Sequence, residues 1–374
     1  MARKPRRQTD VQKKYQYGRP GRPRRGRPRK QESRNGMDFD ELVSVVCKLF
    51  CKGHTASEIR DLTEERYHVV MSREEPYQLL SYAASNGWMR FNPPFEHALR
   101  EQIRTQYDWL QDVHVVHTGV NDDVAFRGAE MLLRMVKQLH RRHRRAKAPV
   151  HIGFAGGHAM RKVAQYFAQL LCQPLEDMPE KLIFHAMAAG FNVHDPTTAP
   201  NAFFSYFVGN PALTVTAEFV GLHAPGVVRT KQLSGLRDTA GIRESFDLAG
   251  QLEIVVTSGS LWPHSMLRQY AEKSESSLTA LEKAGCLGDM LWQPLGANGP
   301  ISVNTEIRAM TLMELAELPP LLDRGGNVLL VLGPCGRCNK PKTAILRSVL
   351  NATPPLVTHL VVDSRVARTV VQAE

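Results

Sequence analysis

Nowhere in its 374 residues does the chain contain the run of about eighteen apolar side chains that a membrane-spanning helix needs. The N-terminus also lacks the apolar core of a secretory signal, so the expected location is the cytoplasm, with no membrane partner. Cysteine is scarce. Cys47, Cys51, Cys172, Cys286, Cys335 and Cys338 are too few for a disulfide scaffold, and reduced thiols are the default. Residues 1–36 hold hardly any aliphatic side chains and cannot bury enough apolar surface to offset the entropy of ordering, which predicts a segment disordered when unbound.

What that segment does have is positive charge. Fourteen Lys and Arg stand against Asp10 and Glu32, a net of +12 in a chain whose total is +11, so the other 338 residues sum to about −1. The charge is therefore an appendage on a near-neutral globular body. With 43% hydrophobic residues, that body can bury a large core and a second, smaller one.

Within the tail one tripeptide recurs, as Gly18-Arg19-Pro20, Gly21-Arg22-Pro23 and Gly26-Arg27-Pro28, the last flanked by Arg25, Arg29 and Lys30. The repeat resembles the AT-hook, a short DNA-binding segment. Gly lets the backbone lie close to the minor-groove floor, Pro keeps it extended, and Arg is drawn into a narrow, electronegative groove. The plainer alternative is a solvated basic arm that neutralises phosphates without groove preference. Either way the expected partner is DNA.

From Asp38 onward, Leu42, Val45, Val46, Leu49 and Phe50 form an apolar stripe at helical spacing, ending at Gly53. Thr55–Glu58 and Ser72–Glu75 have the spacing of capping boxes, and Asn86-Gly87 supplies a left-handed stop. Three short helices with an expected strand over 88–91 make a winged helix-turn-helix. Its third helix would present Arg73 and Gln78 to guanine and adenine edges, with Ser72 at the cap. Glu74 and Glu75 oppose nearby phosphates, and Pro76 is tolerable in a first turn. The alternative is a helical module used for packing or dimerisation.

Beyond a connecting helix over 93–112, apolar runs alternate with amphipathic segments. Strands are expected at 113–116, 151–155, 182–187, 252–257, 328–332 and 359–362, and helices at 123–140, 158–171, 342–350 and 364–371. The fold class is therefore α/β: a mostly parallel, doubly wound sheet over 113–374, which binds ligands at the carboxyl ends of its strands. Gly156-Gly157 between a strand and a helix has the form of an anion-binding turn.

Several segments, in order, resemble the SorC family of sugar-binding transcriptional regulators over roughly residues 38–372. They are Ala83-Ala-Ser-Asn-Gly-Trp88, His151-Ile-Gly-Phe-Ala-Gly-Gly-His-Ala-Met160, Glu218-Phe-Val-Gly-Leu-His-Ala-Pro225, Ala284-Gly-Cys-Leu-Gly-Asp-Met290, Val328-Leu-Leu-Val-Leu-Gly333 with Lys342-Thr-Ala344, and Leu360-Val-Val-Asp-Ser-Arg365. The resemblance implies an effector domain related to sugar-phosphate isomerases, a phosphorylated sugar as effector, and a homo-oligomer, dimer or tetramer. It assigns Gly156, Gly157 and His158 to the phosphate loop, Gly190 to a second ligand loop, Asp289 to sugar hydroxyls and Lys342 to phosphate. His158 and Ala159 stand where the family usually has hydroxyl residues, and Ala188-Ala-Gly190 lacks the family's charged residue.

Cys335-Gly-Arg-Cys338 has the spacing of zinc and redox sites, but a lone pair of this kind lacks the second pair of a closed site. Cys47 and Cys51 could supply that pair, yet they lie beside an apolar stripe where small buried thiols are common. Reduced thiols beside the pocket are preferred; no metal and no cofactor is assigned. The run from His140 to Arg145 reads as a basic helix end, and His185 and His194 flank the pocket loop without an assigned role. The expected function is ligand-controlled DNA binding without catalysis. Its rivals are an architectural DNA-binding protein with a ligand-free oligomerisation domain, and a sugar-phosphate isomerase or deaminase, which would need an acid-base pair near the anion loop.

Overall fold

The computed structural model describes residues 36–372 except 87, 90–91, 143–147, 191 and 193–194. The Gly-Arg-Pro repeats, Gly87, half of the strand expected over 88–91, the far end of the His140–Arg145 run and His194 therefore lie outside the described residues. The chain divides between Asn92 and Pro93 into two compact units.

The first unit is three helices, α1 (Phe39–Cys51), α2 (Ala56–Tyr67) and α3 (Glu75–Ser85). Asp38 caps α1 by accepting from the Phe39 amide at 2.7 Å, and the stripe of Leu42, Val43, Val46 and Leu49 is buried. At α2 the capping box forms in full: Thr55 Oγ1 accepts from the Glu58 amide at 3.3 Å and Glu58 Oε2 accepts from the Thr55 amide at 2.7 Å. The core these helices share is Val43, Val46, Ile59, Leu79 and Ala83.

Two local expectations need correction. Ser72 does not cap α3; Glu74 occupies the cap position, and only the return half of the box exists, with the Glu75 carboxylate accepting from the Ser72 amide at 3.3 Å. Asn86 is the C-cap of α3 and donates its side-chain amide to the Tyr82 carbonyl at 2.9 Å, while Gly87, the glycine of the expected left-handed stop, lies outside the described residues. Trp88 and Met89 form a bend and not a strand, because the Ala83 carbonyl accepts from both of their amides, at 2.8 and 3.4 Å.

The second unit is built on a seven-stranded sheet in the order β1-β13-β12-β6-β2-β3-β4, every neighbouring pair parallel. Its strands are β1 (Asp112–Val116), β2 (Val150–Phe154), β3 (Lys181–Ala186), β4 (Thr216–Val220), β6 (Ile254–Thr257), β12 (Asn327–Leu332) and β13 (His359–Asp363). Strands β2, β6, β12 and β13 are buried along their whole length, as a sheet flanked by helices requires. Six of the seven coincide with expected strands to within two residues. β4 was not expected because it is an edge strand whose residues stay partly exposed, so Thr216 and Glu218 interrupt any apolar run.

Helix α4 (His97–Gln106) belongs to this unit and is no free connector. Arg100 Nε donates to the Val113 carbonyl at 2.9 Å, and Phe95 bridges to Val116. Helices α5 (Asn121–Arg142) and α6 (His158–Leu171) pack on each other and on β12. Gly128 permits that approach, since a Cβ there would lie 2.7 Å from Val331 Cγ2. Two smaller features went unforeseen because their strands are two to four residues long: an antiparallel sheet of β7 (Gly259–Leu261), β8 (Gly288–Met290), β9 (Gln293–Gly296) and β10 (Gly299–Pro300), and a ribbon of β5 (Val227–Arg229) with β11 (Ile307–Ala309).

Candidate ligand cavity

A cavity of about 350 Å³ opens at the carboxyl ends of β2, β3, β6 and β12. Its wall includes Gly156, Gly157, His158, Asp289 and Lys342, so five of the six effector residues anticipated from sequence meet in one place. Gly190 does not reach it. That residue is exposed, and its loop contributes Ala188 and Asn192 instead.

At the end of β2 the chain turns through Gly156 and Gly157 into α6. Gly157 is the N-cap with φ +111°, and a Cβ on Gly156 would lie 2.3 Å from Trp292 Cζ2. The turn needs glycine at both positions, once for backbone conformation and once for space. Gly157 donates its amide to the Thr198 carbonyl at 2.8 Å, which leaves the first-turn amides of α6 that follow it as the ones a helix start can offer an anion. His158 is mostly exposed, 3.7 Å from Asp195. Arg161 donates to Thr197 Oγ1 at 2.5 Å, and Arg161, Lys162 and Arg337 add positive charge to the wall.

The opposite wall is chemically unusual. Lys342 caps the helix Thr343–Leu350, is buried, and donates Nζ to the Gly259 carbonyl at 2.8 Å. Burial pushes its pKa down, against the upward pull of Cys335, Asp289, Asp363 and Cys338. Asp289 sits on β8, is 2% exposed, and turns its carboxylate to the first turn of the helix Met266–Ala271. Burial raises its pKa to about 7, although the Leu267 amide (3.4 Å), Lys342 and the Ser265 hydroxyl favour the charged form. Ser258 Oγ and Gln269 Nε2, on the same wall, are buried without a hydrogen-bond partner among the described residues. Such groups are costly to leave unsatisfied and mark places where a polar ligand fits.

Leu291 and Trp292 close the cavity from the β8–β9 hairpin. Met290 pairs with Gln293, leaving a two-residue loop with φ +52° and +59°. Turns of this kind favour Asn-Gly, and bulky residues there cost about 1–3 kcal/mol each, strain of the sort that accumulates at ligand sites. Neither residue was anticipated, because nothing in Leu-Trp signals a left-handed turn. Cys335 also lines the cavity, where His264, Cys335 and Cys338 bring their donor atoms within 4.8 Å of one another. Cys47 and Cys51 belong to the first unit's α1.

The DNA-facing residues expected in the first unit are all at the surface: Ser72, Arg73 and Gln78 are exposed at the start of α3, with Tyr77 beside them, while Pro76 is buried. His151 and His185 form a buried pair between β2 and β3, Nδ1 to Nε2 at 2.9 Å, away from the cavity wall. Arg141, in the basic end of α5, pairs with Asp177 at 2.8 Å.

No protein-family model matches the sequence, and no curated protein matches it. Solved structures match it in fold. The full-length sorbitol operon regulator SorC from Klebsiella pneumoniae aligns with a TM-score of 0.60 at 14% identity, over 89% of this chain and 99% of its own. This chain has the fold of SorC-type regulators. A probable sor operon regulator from Shigella flexneri aligns at 0.55 and 15% identity, and a DeoR family transcriptional regulator from Listeria monocytogenes at 0.54 and 17%, each over 73% of this chain and 98% of its own. No helix among the described residues is long and apolar enough to cross a membrane.

Proposed function

We infer that the chain is a cytoplasmic transcriptional regulator of the SorC type and not an enzyme. Its N-terminal region holds DNA, and its second unit senses a phosphorylated sugar or a related anionic carbohydrate. The observation that carries this reading is the chemistry of the cavity. A buried lysine, a buried carboxylate, unpartnered Ser258 and Gln269 side chains and the start of α6 converge at the carboxyl edge of a parallel sheet. Cations and helix amides suit a phosphate; the carboxylate and amide suit sugar hydroxyls.

In the first unit, exposed Arg73 and Gln78 are available to base edges, and the basic tail supplies electrostatic and minor-groove affinity. The chain acts as a homo-oligomer, dimer or tetramer, so that two helix-turn-helix heads read two half-sites. Effector binding changes DNA affinity by favouring one arrangement of that oligomer over another.

The test is thermal stability of the full chain against a panel of phosphorylated and unphosphorylated sugars. A true effector at a hundred times its Kd stabilises the fold by about 2.7 kcal/mol. The same compound is expected to change affinity for the operator. No stabilisation by any phosphorylated sugar, with DNA binding intact, would favour an architectural protein. The Gly157 amide already engaged by Thr198 and the absence of hydroxyls at His158 and Ala159 are what favour that second reading.

A further inference from the structure

Cys335 and Cys338 follow β12, and His264 ends the short helical turn Trp262–His264 after β7. These residues come from separate strands and meet at the cavity, where one imidazole nitrogen and two sulfurs lie within 4.8 Å of one another. We propose that His264, Cys335 and Cys338 bind a Zn²⁺ ion in the cavity wall, leaving its fourth position to water or to an oxygen of the bound effector.

The loop is shaped for this. The Cys335 amide donates to the Lys340 carbonyl at 2.9 Å, and the Asn339 amide donates to the Cys335 carbonyl at 2.8 Å, with Asn339 left-handed at φ +53°. That tight turn brings the two sulfurs to the same side, within reach of the His264 imidazole. Tetrahedral Zn²⁺ with Zn–S near 2.3 Å and Zn–N near 2.0–2.1 Å separates its ligand atoms by about 3.6–3.8 Å, so the three donors need to close by no more than about 1 Å.

The charges balance. Two thiols release their protons on binding, and two thiolates with a neutral imidazole cancel the charge of the ion. The cavity therefore keeps its positive wall for an anion, while the metal gains an open position beside it, as at sites where zinc holds an exchangeable ligand. Soft sulfur donors select zinc over magnesium or calcium. The inference does not depend on the effector being a sugar.

The experiment is titration of the reduced, metal-free full chain with Co²⁺ and then Zn²⁺, in parallel with the double variant Cys335→Ser/Cys338→Ser and with His264→Ala. Circular dichroism establishes that each variant is folded. The expected result is one Co²⁺ per chain with a thiolate-to-cobalt charge-transfer band and tetrahedral d–d bands, displaced by Zn²⁺. The double variant should lose the band, and His264→Ala should bind about an order of magnitude or more weaker. Binding without the thiolate band, or no binding, would overturn the proposal. So would rapid oxidation of the two thiols to a disulfide under conditions where Zn²⁺ gives no protection, which would make the pair a redox device instead.

Discussion

Lys342 points its ammonium at the carbonyl of Gly259, 2.8 Å away, with both residues buried in the wall of the cavity. One carbonyl leaves two of the ammonium's three donors for other partners, and a phosphate in the cavity is suited to take them. Lys342→Ala is expected to abolish effector-dependent thermal stabilisation while the protein remains folded. An unchanged response would remove Lys342 from the ligand site and leave it a structural cation.

Asp289 makes stability fall as pH rises. Its folded pKa of about 7 lies above the ordinary value of 3.8, so the folded state holds a proton the unfolded chain has already released. The resulting stability is fully present below about pH 4 and is lost as pH climbs to about 7, amounting to roughly 4 kcal/mol at most. Asp289→Asn keeps the shape without the titration. Denaturant unfolding of both proteins across this range should show the parent losing stability relative to the variant as pH rises.

The His151–His185 pair acts in the opposite direction. Burial, and then the neighbouring His151, lower the His185 pKa to about 4 from 6.5. The folded state therefore resists protonation that the unfolded chain accepts, and stability present above pH 6.5 drains away as pH falls to 4, by roughly 3 kcal/mol for this residue. In His185→Gln, which cannot titrate, the loss of stability on acidification should be shallower than in the parent. Equal slopes would mean that the acid sensitivity lies elsewhere, for instance at His359, which burial also holds at about 4.

Gly156 and Trp292 cannot both keep their places if a methyl group is added. A Cβ at position 156 would lie 2.3 Å from Trp292 Cζ2, and the ring is held in a left-handed two-residue turn with little room to retreat. Gly156→Ala should cost about 1–3 kcal/mol of stability and displace the indole, a change visible in tryptophan fluorescence. Trp292→Phe in the same background should restore part of the stability. An alanine variant with parental stability and spectrum would show that the turn relaxes easily.

Much of this was legible from sequence. Apolar runs such as 328–332 and 359–362 located six of the seven strands of the parallel sheet, because strands buried on both faces carry unbroken aliphatic residues. Gly156, Gly157, Asp289 and Lys342 were found through short segments recurring in a family's order, and burial then showed what those segments could not, that Lys342 is enclosed in the wall. His264 was out of reach. It lies in a short turn far from Cys335 in sequence, and only the packing of β7 near β12 joins them. Leu291 and Trp292 were equally hidden, since their backbone is imposed by the β8–β9 pairing against local preference.

On the proposed reading as a DNA-binding regulator, the charge distribution of the chain makes a prediction about salt. Residues 1–36 carry a net of +12 and the remainder about −1, so nearly all non-specific electrostatic affinity should reside in the tail, with site choice left to Arg73, just before α3, and Gln78 on it. Each phosphate neutralised on duplex DNA steepens the fall of log K with log salt by about 0.9. A chain beginning at Met37 is therefore expected to bind operator more weakly at low salt and to show a slope shallower by several units, while retaining its preference among sequences. Arg73→Ala in the full chain should do the reverse, leaving most of the slope and relaxing the preference, with a loss of about 1–3 kcal/mol at the cognate site. If the truncated chain kept the full salt dependence, the tail would not be in contact with phosphate, and the basic end of α5 at Arg141 and Arg142 would be the next surface to examine.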